Sequence, residues 1–304
     1  MRTVGIALLA AAMLICASAE ARRQPVEVEM QNVDLHMSAD VTLHIRYLRG
    51  RFSAAGGHDT PVLDDHSSYV VDVDSGAVAI DIASLNAVVA RTLAGEASNV
   101  DNLKIAADDQ GNLRQKGVID KGVPIPFSLT TEISATPDGK LRVHSKSVKG
   151  FGISMKPLMK LFHIEMDDLL KVKPGHGVTV SGNDLILDPS TMMPPPSIRG
   201  AVTSAAVVGQ SVVQTFGDGK VHHLSPPAIS KNFIYWRGGS LVFGKLTMAE
   251  TDLELVDMDP KDPFDFSVEH WNEQLVAGYS KTTKTRGLKS HMPDYNDLPH
   301  PRQR

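Results

Sequence analysis

The sequence predicts an α+β fold, an antiparallel sheet whose apolar face is covered by one long and one shorter amphipathic helix. Three observations predict it. Long stretches alternate apolar and polar residues with period two, as half-buried strands do. Two stretches instead repeat apolar residues at steps of three and four, the helical period. Clusters of Gly, Pro, Asn and Asp separate these stretches and supply turns.

The alternation begins with Val26, Val28 and Met30, continues with Val33, Leu35 and Met37, and again with Val41, Leu43 and Ile45. Residues 53–68, with Gly56, Gly57 and Pro61, read as a loop, and alternation resumes from Val70 to Ile80. Asp81 is placed to cap the shorter helix, which carries Ile82, Leu85, Val88, Val89 and Leu93 on one side and stops at Gly95.

Strands are then expected over Leu103–Ala107, Leu113–Ile119, Pro126–Ala135 and Leu141–Val148. Between the last two, Thr136-Pro137-Asp138-Gly139 has proline and glycine where a turn wants them. Ser154 caps the longer helix, Pro157 falls in its first turn, and Leu158, Leu161, Phe162, Met166, Leu169 and Leu170 form its stripe. Short strands flank Ser181-Gly182-Asn183-Asp184. Residues Ile198 to Phe216 fit both periods and are assigned to two strands, because five β-branched valines crowd the run and Gly209 interrupts it. Phe233 to Met248 reads as a hairpin about Gly238-Gly239. Trp271, Leu275 and Val276 suggest a short helix before Gly278, and a mobile end follows Lys281.

Residues 1–21 have Arg2, an apolar run from Val4 to Ala17 and then Ala17-Ser18-Ala19, the pattern of a secretory signal peptide. The single cysteine, Cys16, lies inside it, so the exported chain is expected to have no disulfide. The organisation expected is a leader over 1–21, a main domain over 22–220, a β-rich extension over 221–280 and a tail over 281–304. Export is expected to the periplasm, with full secretion the alternative.

The succession of strands, short helix, hairpins and longer helix, then GVTVSGNDLILDPSTMMPPPSIRGAVTSAAVVGQSVVQTFG, together with the PDGKLRVH hairpin, resembles bacterial members of the TULIP superfamily of tubular lipid-binding proteins. The resemblance covers Val26 to Gly217. It implies a strongly curved antiparallel sheet wrapped around a long helix, with an apolar tube that holds acyl chains. Leu85, Val89, Leu93, Leu158, Leu161, Phe162 and Met166 are then the expected lining. Tyr235 and Trp236 stand as candidates for the mouth or an interaction surface, since such rings suit an apolar–wet boundary. The function expected is an exported lipid-binding or lipid-transfer protein that meets membrane surfaces transiently. The alternative is an exported β-rich structural or interaction protein with a solid core and a partner on its C-terminal extension.

Other classes find little support. A net charge of −4 with 22% charged residues offers no basic footprint for nucleic acid. His58, Asp59, Asp64, Asp65 and His66 are the densest metal-ligand types, but in a Gly/Pro loop without helical His spacing. His222 and His223 are adjacent, so on a strand they face opposite ways. Asp252, Glu254, Asp257, Asp259, Asp262 and Asp265 are acidic without calcium-loop spacing, because Pro260 and Pro263 interrupt them. No G-x-S-x-G elbow or phosphate loop occurs. No cofactor, metal or catalytic residue is assigned, and the chain is not read as an enzyme.

Overall fold

The computed structural model describes residues 24–94, 100–120, 123–150, 153–154, 177–182, 184–192, 195–224 and 230–299. Three long strands come first: β1 (Val26–Ser38), β2 (Val41–Ala54) and β3 (Tyr69–Asp81), followed by helix α1 (Ile82–Ala94). A meander follows in β4 (Val100–Ala107), β5 (Leu113–Asp120), β6 (Pro124–Ala135) and β7 (Leu141–Gly150). Short β8 (Ile153–Ser154), β9 (Val178–Ser181), β10 (Asp184–Leu187) and helical turn α2 (Pro189–Met192) lead to β11 (Ser197–Arg199), β12 (Val202–Val208) and β13 (Ser211–Phe216). The rest comprises β14 (Phe233–Arg237), β15 (Leu241–Phe243), β16 (Leu246–Met248), β17 (Asp252–Asp257), β18 (Phe264–Ser267), α3 (Trp271–Ala277), β19 (Tyr279–Thr282) and β20 (Leu288–Met292).

The expectation of a sheet wrapped around one long helix is overturned. Of the described residues, 57% are in strands and 11% are helical, arranged in several sheets. The longest helix among them is α1, with 13 residues. Ser154, expected to cap the long helix, instead lies in β8, where it pairs with Lys149. Leu158, Leu161, Phe162 and Met166 lie outside the described residues. The helical period at α1 is correct, and Asp81 caps it as expected, accepting the Ser84 backbone N–H at 2.7 Å.

The main sheet runs β12-β13-β3-β2-β1-β14-β17-β20-β19, with β11 added in parallel to β3 and β18 in parallel to β1. The first three strands form antiparallel pairs with a shared shift of face. Asn32, at φ 51, drops out of register on β1, and Arg46 does so on β2. Buried positions therefore change parity together, from Val28 and Met30 to Val33 and Leu35, and from Leu43 and Ile45 to Leu48. Gly50 permits the close approach of β3, because a Cβ there would meet the Asp72 carbonyl oxygen at 2.3 Å.

The second sheet runs β4-β5-β6-β7-β10-β9. Its apolar side, including Leu113, Ile133, Leu141 and Val143, joins the valines of β12 and β13 in one core continuous with that of the main sheet. The expected turn between β6 and β7 forms, with the Gly139 N–H bonded to Thr136 O at 3.0 Å.

The C-terminal segment is part of this fold. Strand β14 pairs antiparallel with β1, putting Phe233–Arg237 in the middle of the main sheet. The expected hairpin about Gly238-Gly239 does not form. β14 pairs with β1 and β17, while β15 pairs with β16. The end expected to be mobile after Lys281 contains β20, which runs parallel to β17 and buries Met292 completely.

Candidate functional site

The apolar face of the main sheet does not close fully over its own core. A cavity of about 40 Å³ remains beside β1, β2, β3 and β14. Met30 and Met37 of β1, Phe52 of β2, Tyr69 of β3, Trp236 of β14 and Trp271 of α3 are among its walls. Stacked and edge-on rings fix these side chains. Phe52 stacks on Tyr69 at 4.9 Å between centroids and meets Trp236 edge-on at 5.8 Å. Trp271 stacks on Phe243 at 4.3 Å, which ties α3 to β15. Burial pushes the Tyr69 hydroxyl far up from its ordinary value.

One polar atom is out of place in this apolar environment. Trp236 is 2% exposed, and its indole N–H has no hydrogen-bond partner. A buried donor left unpaired costs about 1–3 kcal/mol.

An open polar groove of about 570 Å³ adjoins the cavity. Met37 lines both spaces, and Pro195 and Glu269 of the groove are chain neighbours of Pro196 and Val268 of the cavity. The groove gathers the loop residues Asp64, Asp65, His66 and Ser67 with Arg91 of α1. His66 reaches Val268 O through Nε2 at 2.9 Å. Asp65 accepts from the Ser67 hydroxyl at 2.6 Å and the Ser67 N–H at 3.0 Å, and these bonds hold its carboxyl below the usual range. His58 stands 3.3 Å from Asp65. Arg91 pairs with Asp40 and donates to the Ser38 hydroxyl at 3.0 Å.

The expected site residues are dispersed by this arrangement. Leu85 packs half-buried against the main core, Val89 is half-buried on α1, and neither lines the cavity. Leu93 lies near the end of α1. Tyr235 and Trp236, expected at a mouth or surface, are both buried, at 5% and 2% exposure, and face opposite sides of the sheet. Tyr235 packs with Leu224, Phe233 and Val256, and its hydroxyl, pushed up to about 12 chiefly by burial, donates to Asp252 at 3.2 Å. Trp236 alone meets the cavity. Sequence reasoning missed Phe52, Tyr69 and the methionines as walls. The signal available was that the only two tryptophans of the chain both come to this one space.

The adjacent histidines His222 and His223 pair with different carboxylates. His222 bonds Asp218 at 3.0 Å, whereas His223 reaches Glu29 at 2.6 Å. Among the described residues, no group of three or more His, Cys, Asp or Glu is placed to hold a metal ion. Part of the acidic run, Asp257, Asp262 and Asp265, comes together with Asp294, which burial and then these neighbours push up to about 7. Among the described residues no helix is long and apolar enough to cross a membrane.

Against protein families, curated proteins and solved structures alike, the chain finds no match. Nothing in these comparisons relates it to the tubular lipid-binding superfamily.

Proposed function

We propose that this protein binds a lipid or another hydrophobic small molecule, with the apolar end seated in the cavity between Trp236 and Trp271. The observation that carries this reading is the unfilled apolar space walled by both tryptophans. Native cores are close-packed and leave few such gaps. The volume limits the ligand. A space of about 40 Å³ holds roughly three water-sized spheres, since about 10–15 Å³ admits one. It therefore takes the last carbons of a chain rather than a whole acyl tail, and each methylene buried contributes about 0.8 kcal/mol. The role is binding or transfer rather than catalysis. The leader-like residues 1–21 support export, to the periplasm or beyond, and the net charge of −4 gives no basic footprint for nucleic acid.

A second reading, an exported β-rich interaction protein, is favoured by strand β19. It ends the main sheet, and all four of its residues are exposed. An exposed edge can pair with another chain.

Tryptophan fluorescence separates the two readings, because both tryptophans line the cavity. Titration with 12-bromododecanol, whose heavy atom sits at the chain end, is expected to quench saturably. The isomer brominated at carbon 2 is expected to quench much less. Equal, non-saturating quenching by both would remove the ligand-binding reading.

A further inference from the structure

Resting on the reading that an apolar ligand end sits in this cavity, we infer that this end carries a neutral carbonyl group, whose oxygen accepts the indole N–H of Trp236. Trp236 walls the cavity, is 2% exposed and has no acceptor for its N–H among the described residues. Its strand is paired on both sides, with Val28 of β1 opposite on one and Leu253 of β17 on the other. Phe52 meets its ring edge-on at 5.8 Å. The indole is therefore held in the core, and its donor cannot swing out to solvent. An acceptor has to come to it.

The chemistry of the wall selects that acceptor. The lining side chains that contain nitrogen or oxygen are Tyr69, Trp236 and Trp271. The two indoles only donate, and the Tyr69 hydroxyl is the single side-chain oxygen. Water suits such a wall poorly, because it brings two hydrogens of its own and wants roughly two to four polar partners. A carboxylate is disfavoured by its charge, since no cationic side chain lines the space to offset desolvation. An alcohol oxygen brings a hydrogen that needs an acceptor in turn. A ketone or aldehyde oxygen brings none, and its second lone pair stays free for another donor of the wall. Size agrees. A space of about 40 Å³, roughly three water-sized spheres, matches a terminal methyl, a carbonyl carbon and its oxygen.

The test uses the full chain and two isomers of matched apolar character, undecan-2-one and undecan-6-one, with binding read by equilibrium dialysis. The cavity admits about three heavy atoms, so only the first isomer brings its carbonyl inside. Undecan-2-one is expected to bind about fivefold more tightly, the worth of one net hydrogen bond. In Trp236→Phe the two affinities should become equal, while undecan-6-one binds as it does to the native chain. The infrared carbonyl stretch of bound undecan-2-one should lie at lower frequency than that of bound undecan-6-one, and should rise to meet it in the variant. Equal affinities in the native protein would overturn the carbonyl inference and leave the apolar-ligand reading standing. A preference that survives in Trp236→Phe, or an unshifted stretch, would do the same. Saturable binding of neither isomer would overturn both.

Discussion

His223 meets Glu29 at 2.6 Å, Nδ1 to Oε1, although 194 positions separate them in the chain. The next backbone N–H, that of Leu224, donates to the second carboxylate oxygen at 2.7 Å. Glu29 is 2% exposed in the middle of β1, so this one segment satisfies a carboxylate that the sheet buries. Replacing Glu29 by Ala leaves the buried Leu224 N–H without its acceptor while the half-exposed His223 turns to water, and a loss of about 1–3 kcal/mol is expected. Urea unfolding monitored by circular dichroism measures it. A loss under about 1 kcal/mol would mean that the pairing contributes nothing to the fold.

Trp236 supports a second prediction, in the ligand-free protein. Trp236→Phe removes an unpaired buried donor while keeping most of the apolar ring, so the two effects offset and stability should change by about 1 kcal/mol or less. Leu253, the cross-strand neighbour of Trp236, is fully buried, and Leu253→Ala should cost about 2–5 kcal/mol. Equal losses for the two variants would show that the indole N–H is bonded after all.

Asp294 predicts a pH dependence. Its folded value, pushed up to about 7, stands above the ordinary carboxylate value, so the folded protein keeps a proton that the unfolded chain releases. By linkage this group contributes stability at low pH that is lost as pH rises through about 4 to 7. Asp257, also raised by burial, acts in the same direction. His44, raised chiefly by its hydrogen bond to Asp34, adds to the fall, whereas His291, lowered by burial, opposes it. Asp294→Asn keeps an oxygen for the Asp265 N–H, held at 2.7 Å, and removes the titration. Unfolding free energies between about pH 5 and 8 should therefore fall less steeply in the variant than in the native chain. Identical slopes would sink the assignment.

Gly50 gives a packing prediction. A methyl group there would meet the Asp72 carbonyl at 2.3 Å, and that oxygen belongs to backbone that cannot swing aside. Gly50→Ala should cost about 1–3 kcal/mol or more, by forcing β2 and β3 apart. A thermal melt with an unchanged midpoint would count against this contact.

The alternation of the first three strands was legible in the sequence because one face is buried, whereas the shift of face at Asn32 and Arg46 and the continuation of β2 to Ala54 were not. Helix α1 was legible through the Asp81 cap and its three–four spacing. β14 was read as a strand but given the wrong partner, because its two faces could not be told apart. Phe233, Ile234, Tyr235 and Trp236 are all buried, since both faces of this strand are covered, and a continuous apolar run has no period to read. β20 was missed because its residues, Leu-Lys-Ser-His-Met, look polar, and a parallel pairing with distant β17 has no local turn to announce it. The cavity escaped for a similar reason. Its walls come from several separate elements, so no spacing within any one of them marks it.

The place of β1 has a consequence for how the chain reaches its native state. One neighbour, β2, follows within a few residues, but the strands on its other side, β14 and β18, begin about two hundred positions later or more. During synthesis a half-built sheet must wait with an open flank at its centre, where a wrong strand can dock. Folding dominated by such distant pairings is slow, and the risk of misassembly is greatest before residues 233–237 emerge.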